Sequence, residues 1–277
     1  MRLTVLIATV ATAAAVSSPG VAGTPAAADW RVPNPEDVLV IDTNKGRVIV
    51  ELVPEVAPGH TDRLRALARK GTYDGRAFFR VIDRFMAQTG DPQDSGEGQS
   101  DLPNLKAEFT FRRDAATAFV TAASPNGTDE GFVKSLPVVS QGIGWTEVTG
   151  DRKVAAWGTY CPGVVGMARD DNVDSANSQF FLMRQPYMSL DKRYTAFGRV
   201  ISGLDVVRSI KTGEPVPAPQ DRMDRVRVLA DIPAAERPTV RVIDPAGKWF
   251  KGEISRVRKA KGADFSLCDV NIPVEVK

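Results

Sequence analysis

The chain holds a single histidine, His60, and only two cysteines, Cys161 and Cys268. A His/Cys zinc site needs about four such ligands, so none is expected. Every histidine-dependent triad must pass through His60, and no Gly-x-Ser-x-Gly elbow is present, which disfavours a hydrolase. An excess of one charge is lacking too: 36 basic residues face 34 acidic ones, for a net +2. That balance gives no footing for nucleic acid or an anionic membrane. No apolar run reaches the ~20 residues that cross a bilayer. The run Leu3–Val16 follows Arg2 and leads into Ala26-Ala27-Ala28. A basic start, a greasy middle and a small-residue site before Asp29 mark residues 1–28 as a cleaved leader. The protein is therefore expected to be exported, to the periplasm, without stable membrane insertion. Export permits a disulfide, but two cysteines so far apart are equally two buried thiols.

What is present is mostly strand pattern. Asp37–Leu52 alternates β-branched residues on either side of Thr43-Asn44-Lys45-Gly46, which predicts a hairpin. Pro58 opens a stretch with Leu64, Leu67 and Ala68 at helical spacing, ended by Gly71. A strand-rich block, RAFFRVIDRFMAQTGDP, follows, and residues 91–107 read as a long loop. Arg112–Tyr160 shows no clear period. Strong patterning returns from Gly163 to Val200, then a short helix at Leu204–Ile210, a Pro-rich link at 215–219 and a strand at Asp224–Ile232. Residues 233–277 read as a basic, strand-prone tail. No internal repeat or heptad is present. Many short strands with few helices predict a mainly β barrel or sandwich.

Two motifs carry more. The first is Phe78-Phe79-Arg80-Val81-Ile82, then Phe85-Met86-Ala87-Gln88-Thr89-Gly90-Asp91. The second is Ser175-Ala176-Asn177-Ser178-Gln179-Phe180-Phe181, followed by Leu190-Asp191 and Tyr194-Thr195-Ala196-Phe197-Gly198. With Tyr73-Asp74-Gly75 and Gly166-Met167-Ala168, their order and spacing resemble the cyclophilin-type peptidyl-prolyl cis–trans isomerases. The resemblance covers a domain at 37–232, interrupted by an insertion at about 112–160 and followed by an extension at 233–277. It implies a closed eight-stranded antiparallel barrel capped by two helices, with the active groove outside a side-chain-filled interior. Alternation agrees: Phe78, Arg80 and Ile82 are expected on one face, Phe79 and Val81 on the other, and Gln179 and Phe181 opposite Phe180.

The implied reaction is rotation about the bond preceding proline in proline-containing peptides and unfolded exported proteins, with no cofactor. Resonance sets that barrier at roughly 18–20 kcal/mol. The twisted amide nitrogen gains a lone pair, and a fixed cation can donate to it. Arg80 matches the catalytic arginine, whose five-donor guanidinium is always charged. Phe85, Met86, Phe181 and Leu190 match the proline socket. Gln88 and Gln179 match groups that bind substrate backbone or hold the arginine, while Ala168, Arg169 and Tyr194 complete the binding set. Taken singly, each has a plainer role: Arg80 as a solvated charge, the apolar residues as core, the glutamines as strand-surface amides. The spacing of both motifs together lifts them above it. A proline-peptide binder or chaperone without turnover is the alternative, but a mere binder has no need of Arg80.

The chain also departs from the family. Arg169 stands where Asn is common, and a second cation there would favour acidic peptides. Ser189 replaces a frequent Trp before the pocket leucine, which predicts weak cyclosporin binding. Phe79 replaces a usual His and is expected to point inward. A bond between Cys161 and Cys268 would tie the end of the insertion to the extension.

Overall fold

The computed structural model describes residues 23–277. Of the leader read over 1–28, residues 1–22 therefore lie outside the described residues. Strand β1 (Trp30–Arg31) precedes the expected hairpin, β2 (Val38–Thr43) and β3 (Gly46–Leu52). Helix α1 (Pro58–Arg69) starts with proline at its first turn, where no N–H is missed. Next comes the short pair β4 (Arg80–Ile82) and β5 (Met86–Thr89). The insertion supplies β6 (Phe111–Arg113), β7 (Phe119–Ala123), β8 (Thr128–Val133), β9 (Leu136–Gln141) and β10 (Val154–Gly158). The chain returns with β11 (Val164–Met167), β12 (Phe180–Met183), β13 (Ala196–Ser202), α2 (Leu204–Ser209) and β14 (Met223–Val228). It ends with β15 (Val240–Ile243), α3 (Lys248–Lys261) and β16 (Val274–Val276).

Eight strands form one antiparallel sheet, ordered β14-β2-β3-β13-β11-β12-β5-β4. The expected closed barrel is corrected here: the sheet curls but stays open between β4 and β14. Among the described residues, the isolated bridges Ala77↔Arg222 and Val81↔Gly213 and a few further backbone bonds cross that gap without forming a ladder. The cause is local. β4 has three residues, and the facing link carries Pro215, Pro217 and Pro219, which have no N–H to give a ladder.

The hairpin β2–β3 reads as nearly continuous Val, Ile and Leu because it is buried on both faces. Leu39, Ile41, Val48 and Val50 point into the curl with Leu64 and Leu67 of α1, Phe78, Phe180 and Phe197. Val38, Val40 and Ile49 point outward, into a second core shared with the insertion and extension. That outer core holds Phe132, Leu136 and Val138 of the insertion, Val242 of β15, and Phe250, Ile254 and Val257 of α3. The insertion is a five-stranded sheet, β6-β10-β9-β8-β7, which lays its apolar side against the outside of the larger one. Its strands alternate buried and exposed residues only in part (Gly131, Phe132 and Val133 of β8 are buried in succession), which hides the period.

The tail departs from the strand-prone reading. Lys248–Lys261 is an α-helix, with Phe250, Ile254 and Val257 on its buried face. That i, i+4, i+7 spacing is a helical stripe. Asp29 Oδ1 accepts from the Trp249 N–H at its start, 3.1 Å away. The described residues thus hold three α-helices, one of them in the extension. Among them no helix is long and apolar enough to cross a membrane. Cys161 and Cys268 are joined by a disulfide, closing a separation of 107 residues.

Candidate active site

The β4–β5–β12 ladder decides which side chains face outward. Arg80 pairs with Gln88, Val81 with Ala87 and Ile82 with Met86; Gln88 in turn pairs with Phe181, and Met86 with Met183. Val81, Ala87 and Phe180 therefore fill the interior, while Arg80, Met86, Gln88 and Phe181 meet outside around a recess of about 180 Å³. Phe85, Ala168, Arg169, Leu190 and Tyr194 complete its lining. Gln179 lies one step away, in an adjoining polar cleft that shares Gln88, Ala168 and Arg169 with the recess.

Two expected orientations are corrected. Phe78 belongs to the interior cluster rather than sharing the face of Arg80, because regular alternation starts only at Arg80, where β4 begins. Phe79 is buried but absent from the interior cluster. Its ring lies under the loop at Gly96, where a Cβ would come within 3.5 Å of it.

The floor of the recess is aromatic. Phe181 stacks on Tyr160, with ring centroids 5.8 Å apart, and meets the Tyr194 ring edge-on at 5.9 Å. These rings pack tightly against β11 because Gly166 is there: a Cβ would fall 2.5 Å from Phe181 and 2.6 Å from the Tyr160 oxygen. Among the described residues that oxygen has no hydrogen-bond partner, and burial pushes its pKa well above the ordinary phenol range. Phe85 packs on Tyr187 at 4.6 Å. Leu190 ends a 3-10 turn, Met188–Leu190, anchored by the next residue. Asp191 accepts from the Thr159 hydroxyl at 2.8 Å and from the Tyr160 N–H at 3.0 Å. Burial pushes the Asp191 carboxyl upward despite these bonds.

Arg80 stands at the edge of this apolar surface within a polar relay. Its Nη1 donates to Gln88 Oε1 at 3.2 Å, and Gln88 Nε2 donates to Gln179 Oε1 at 3.0 Å. Gln179 Nε2 donates in turn to the carbonyls of Gly96 and Gly98, each at 3.0 Å. Asp91 shapes that loop by accepting from the N–H groups of Gln93, Ser95, Gly96 and Gly98. Burial raises the Asp91 pKa, but these bonds outweigh it and the net shift is downward. Arg80 Nε donates to Glu214 Oε1 at 2.6 Å. Among the described bonds Nη2 has none, which leaves two N–H donors for a ligand.

Glu214 escaped the motif analysis because it lies 134 residues away in the Pro-rich link. Its placement is nonetheless built. Gly213 exchanges two 2.8 Å backbone bonds with Val81, and Val216 N donates to the Phe79 carbonyl at 2.9 Å. These pairs bracket Arg80 on one segment and Glu214 on the other. Gly213 is required there, since a Cβ would come within 2.6 Å of the Val216 backbone.

Arg169 is present in the site but already engaged. Its Nε and Nη2 donate to the Arg193 carbonyl at 3.1 and 3.0 Å, and its guanidinium lies 4.6 Å from the Tyr194 ring centre. His60 sits apart on α1, bonded to Glu108 through Nδ1 at 2.7 Å.

A sequence model described as "Cyclophilin type peptidyl-prolyl cis-trans isomerase/CLD" matches residues 38–230. The chain belongs to this cyclophilin-type isomerase family. A "Probable peptidyl-prolyl cis-trans isomerase" of Brucella suis is 34% identical over 191 residues, covering 65% of this chain and 74% of its own. The mouse "Peptidyl-prolyl cis-trans isomerase-like 1" is 27% identical over 206 residues, covering 74% of this chain and 95% of its own. The crystal structure of cyclophilin AquaCyp293 from Hirschia baltica superposes with a TM-score of 0.82 at 33% identity, covering 89% of this chain and 93% of that one.

Proposed function

We propose that the Arg80 recess catalyses rotation of X–Pro bonds in exported proteins. The carrying observation is a guanidinium held on two sides, by Glu214 and Gln88, at the rim of an apolar socket with Nη2 unengaged. The socket formed by Phe85, Met86, Phe181 and Leu190 grips the ring, and the preceding carbonyl swings. As the amide twists, conjugation is lost and the nitrogen becomes a hydrogen-bond acceptor. A donor fixed beforehand then gains strength in the twisted state and not in the planar one, which is what lowers a barrier. No covalent bond to substrate is made and no proton is transferred. Export is supported by the basic-then-apolar start of the sequence and by the disulfide, which persists in oxidising compartments. Isomerisation of a proline tetrapeptide by wild type and Arg80→Ala tests the catalytic reading. N-terminal sequencing of the protein recovered outside the cytoplasm tests the leader.

Glu214 gives a separate expectation. Glu214→Gln keeps the acceptor but removes the charge that orients Arg80. A half-exposed ion pair contributes about 1 kcal/mol or less, so kcat should fall about fivefold or less with KM little changed. A rise in KM at constant kcat places Glu214 in substrate binding instead.

Cyclosporin should bind weakly. Ser189 is exposed and does not line the recess, so it offers neither the apolar area nor the indole donor of a Trp. Inhibition at nanomolar concentration contradicts this.

A further inference from the structure

A further opening, of about 260 Å³, lies outside the recess and its polar cleft. Glu130, Val139 and Trp157 of the insertion line it together with Met188, Leu267 and Cys268. It is therefore built from the insertion, the 188–190 turn and the extension. That turn is its common wall with the proline recess. Leu190 lines the recess while Met188 and Asp191 line the groove, and consecutive Cα atoms are only about 3.8 Å apart. Between the two openings, Tyr187 and Met188 are 46% and 45% exposed. Tyr187 touches Phe85 of the recess, so an apolar ridge leads from one opening to the other.

The groove is also charged in a particular way. The Glu130 carboxylate makes no ion pair or hydrogen bond among the described residues, and burial pushes its pKa up. A carboxylate left without a partner beside apolar walls favours an incoming cation. Trp157 turns an indole face to the chain's own Lys192, whose Nζ stands 3.7 Å from the ring centroid, so Glu130 is the group left to meet an incoming cation.

We propose that this groove is a second subsite for the client polypeptide, receiving an apolar residue next to a Lys or Arg, a few positions from the proline held in the recess. The proposal rests on the isomerase reading of the recess and adds a sequence preference to it.

The test uses a proline tetrapeptide and longer peptides that extend it, at either end, by spacers of graded length closing in Leu-Lys or Leu-Glu. For wild type, one spacer with Leu-Lys should lower KM about tenfold, the effect of one partly desolvated charge-assisted contact, while Leu-Glu should not. Glu130→Gln should lose that advantage and keep the tetrapeptide kcat/KM of wild type. Equal KM for Leu-Lys and Leu-Glu at every spacer overturns the proposal, as does an advantage that survives in Glu130→Gln. Indole fluorescence titration gives Kd for the same peptides without relying on turnover. If no peptide is turned over, the isomerase reading fails, and the Leu-Lys to Leu-Glu ratio of Kd still decides the groove.

Discussion

Arg80→Ala should lower kcat/KM for a proline tetrapeptide about 100-fold while the protein keeps its fold. A charge-assisted hydrogen bond contributes about 1.5–3 kcal/mol, and each 1.4 kcal/mol is a factor of ten. The loss belongs in kcat, because the planar amide offers the arginine no nitrogen lone pair. The apolar socket remains, so Kd for the peptide should change by less than about tenfold. Arg80→Lys is informative beside it. Lysine keeps the charge but lacks the planar fork that engages Glu214 and Gln88 while presenting Nη2. It should recover only part of the rate. Full activity in the lysine variant would mean that a point charge suffices and that the relay through Gln88 and Gln179 is incidental.

Replacing both Cys161 and Cys268 by Ser should cost about 2–5 kcal/mol of stability in a urea titration. The bond spans 107 residues, and the chain-entropy argument gives about 4.7 kcal/mol for a loop near 100 residues. What it ties together explains why the cost should be felt at the site. Cys161 is fully buried in the outer core, directly after Tyr160, whose ring supports Phe181 and whose N–H holds Asp191. Cys268 anchors the extension against the same turn. Dithiothreitol on the wild type should reproduce the loss, and a change below about 1 kcal/mol would show that packing of α3 and the insertion holds the extension without the bond.

The parts of the fold legible in the sequence were those dictated locally. The hairpin at Val38–Leu52 and the helix opened by Pro58 follow from turn residues and local spacing, whereas the outward set Arg80, Gln88 and Phe181 rests on the family resemblance. The parts not legible depend on distant packing. Sheet closure hinges on whether β4 and the Pro-rich link can exchange N–H bonds, and three prolines prevent a ladder. The insertion hid its strands because one face is covered by the main sheet and the other only partly wet. Helix α3 carried its own signal in Phe250, Ile254 and Val257, masked by the basic residues and Gly252 between them. Glu214 could not be found by motif at all, since it is set beside Arg80 by one backbone bridge and one further backbone bond that no local pattern announces.

The most direct test is two-dimensional NMR exchange on a proline peptide, with catalytic amounts of wild type or Arg80→Ala and with peptide binding measured separately. Uncatalysed interconversion takes tens to hundreds of seconds at 25 °C. Wild type should bring exchange into the sub-second range, and Arg80→Ala should bind the peptide yet leave exchange slow. A folded wild-type protein that binds the peptide and leaves its exchange at the uncatalysed rate would contradict the account.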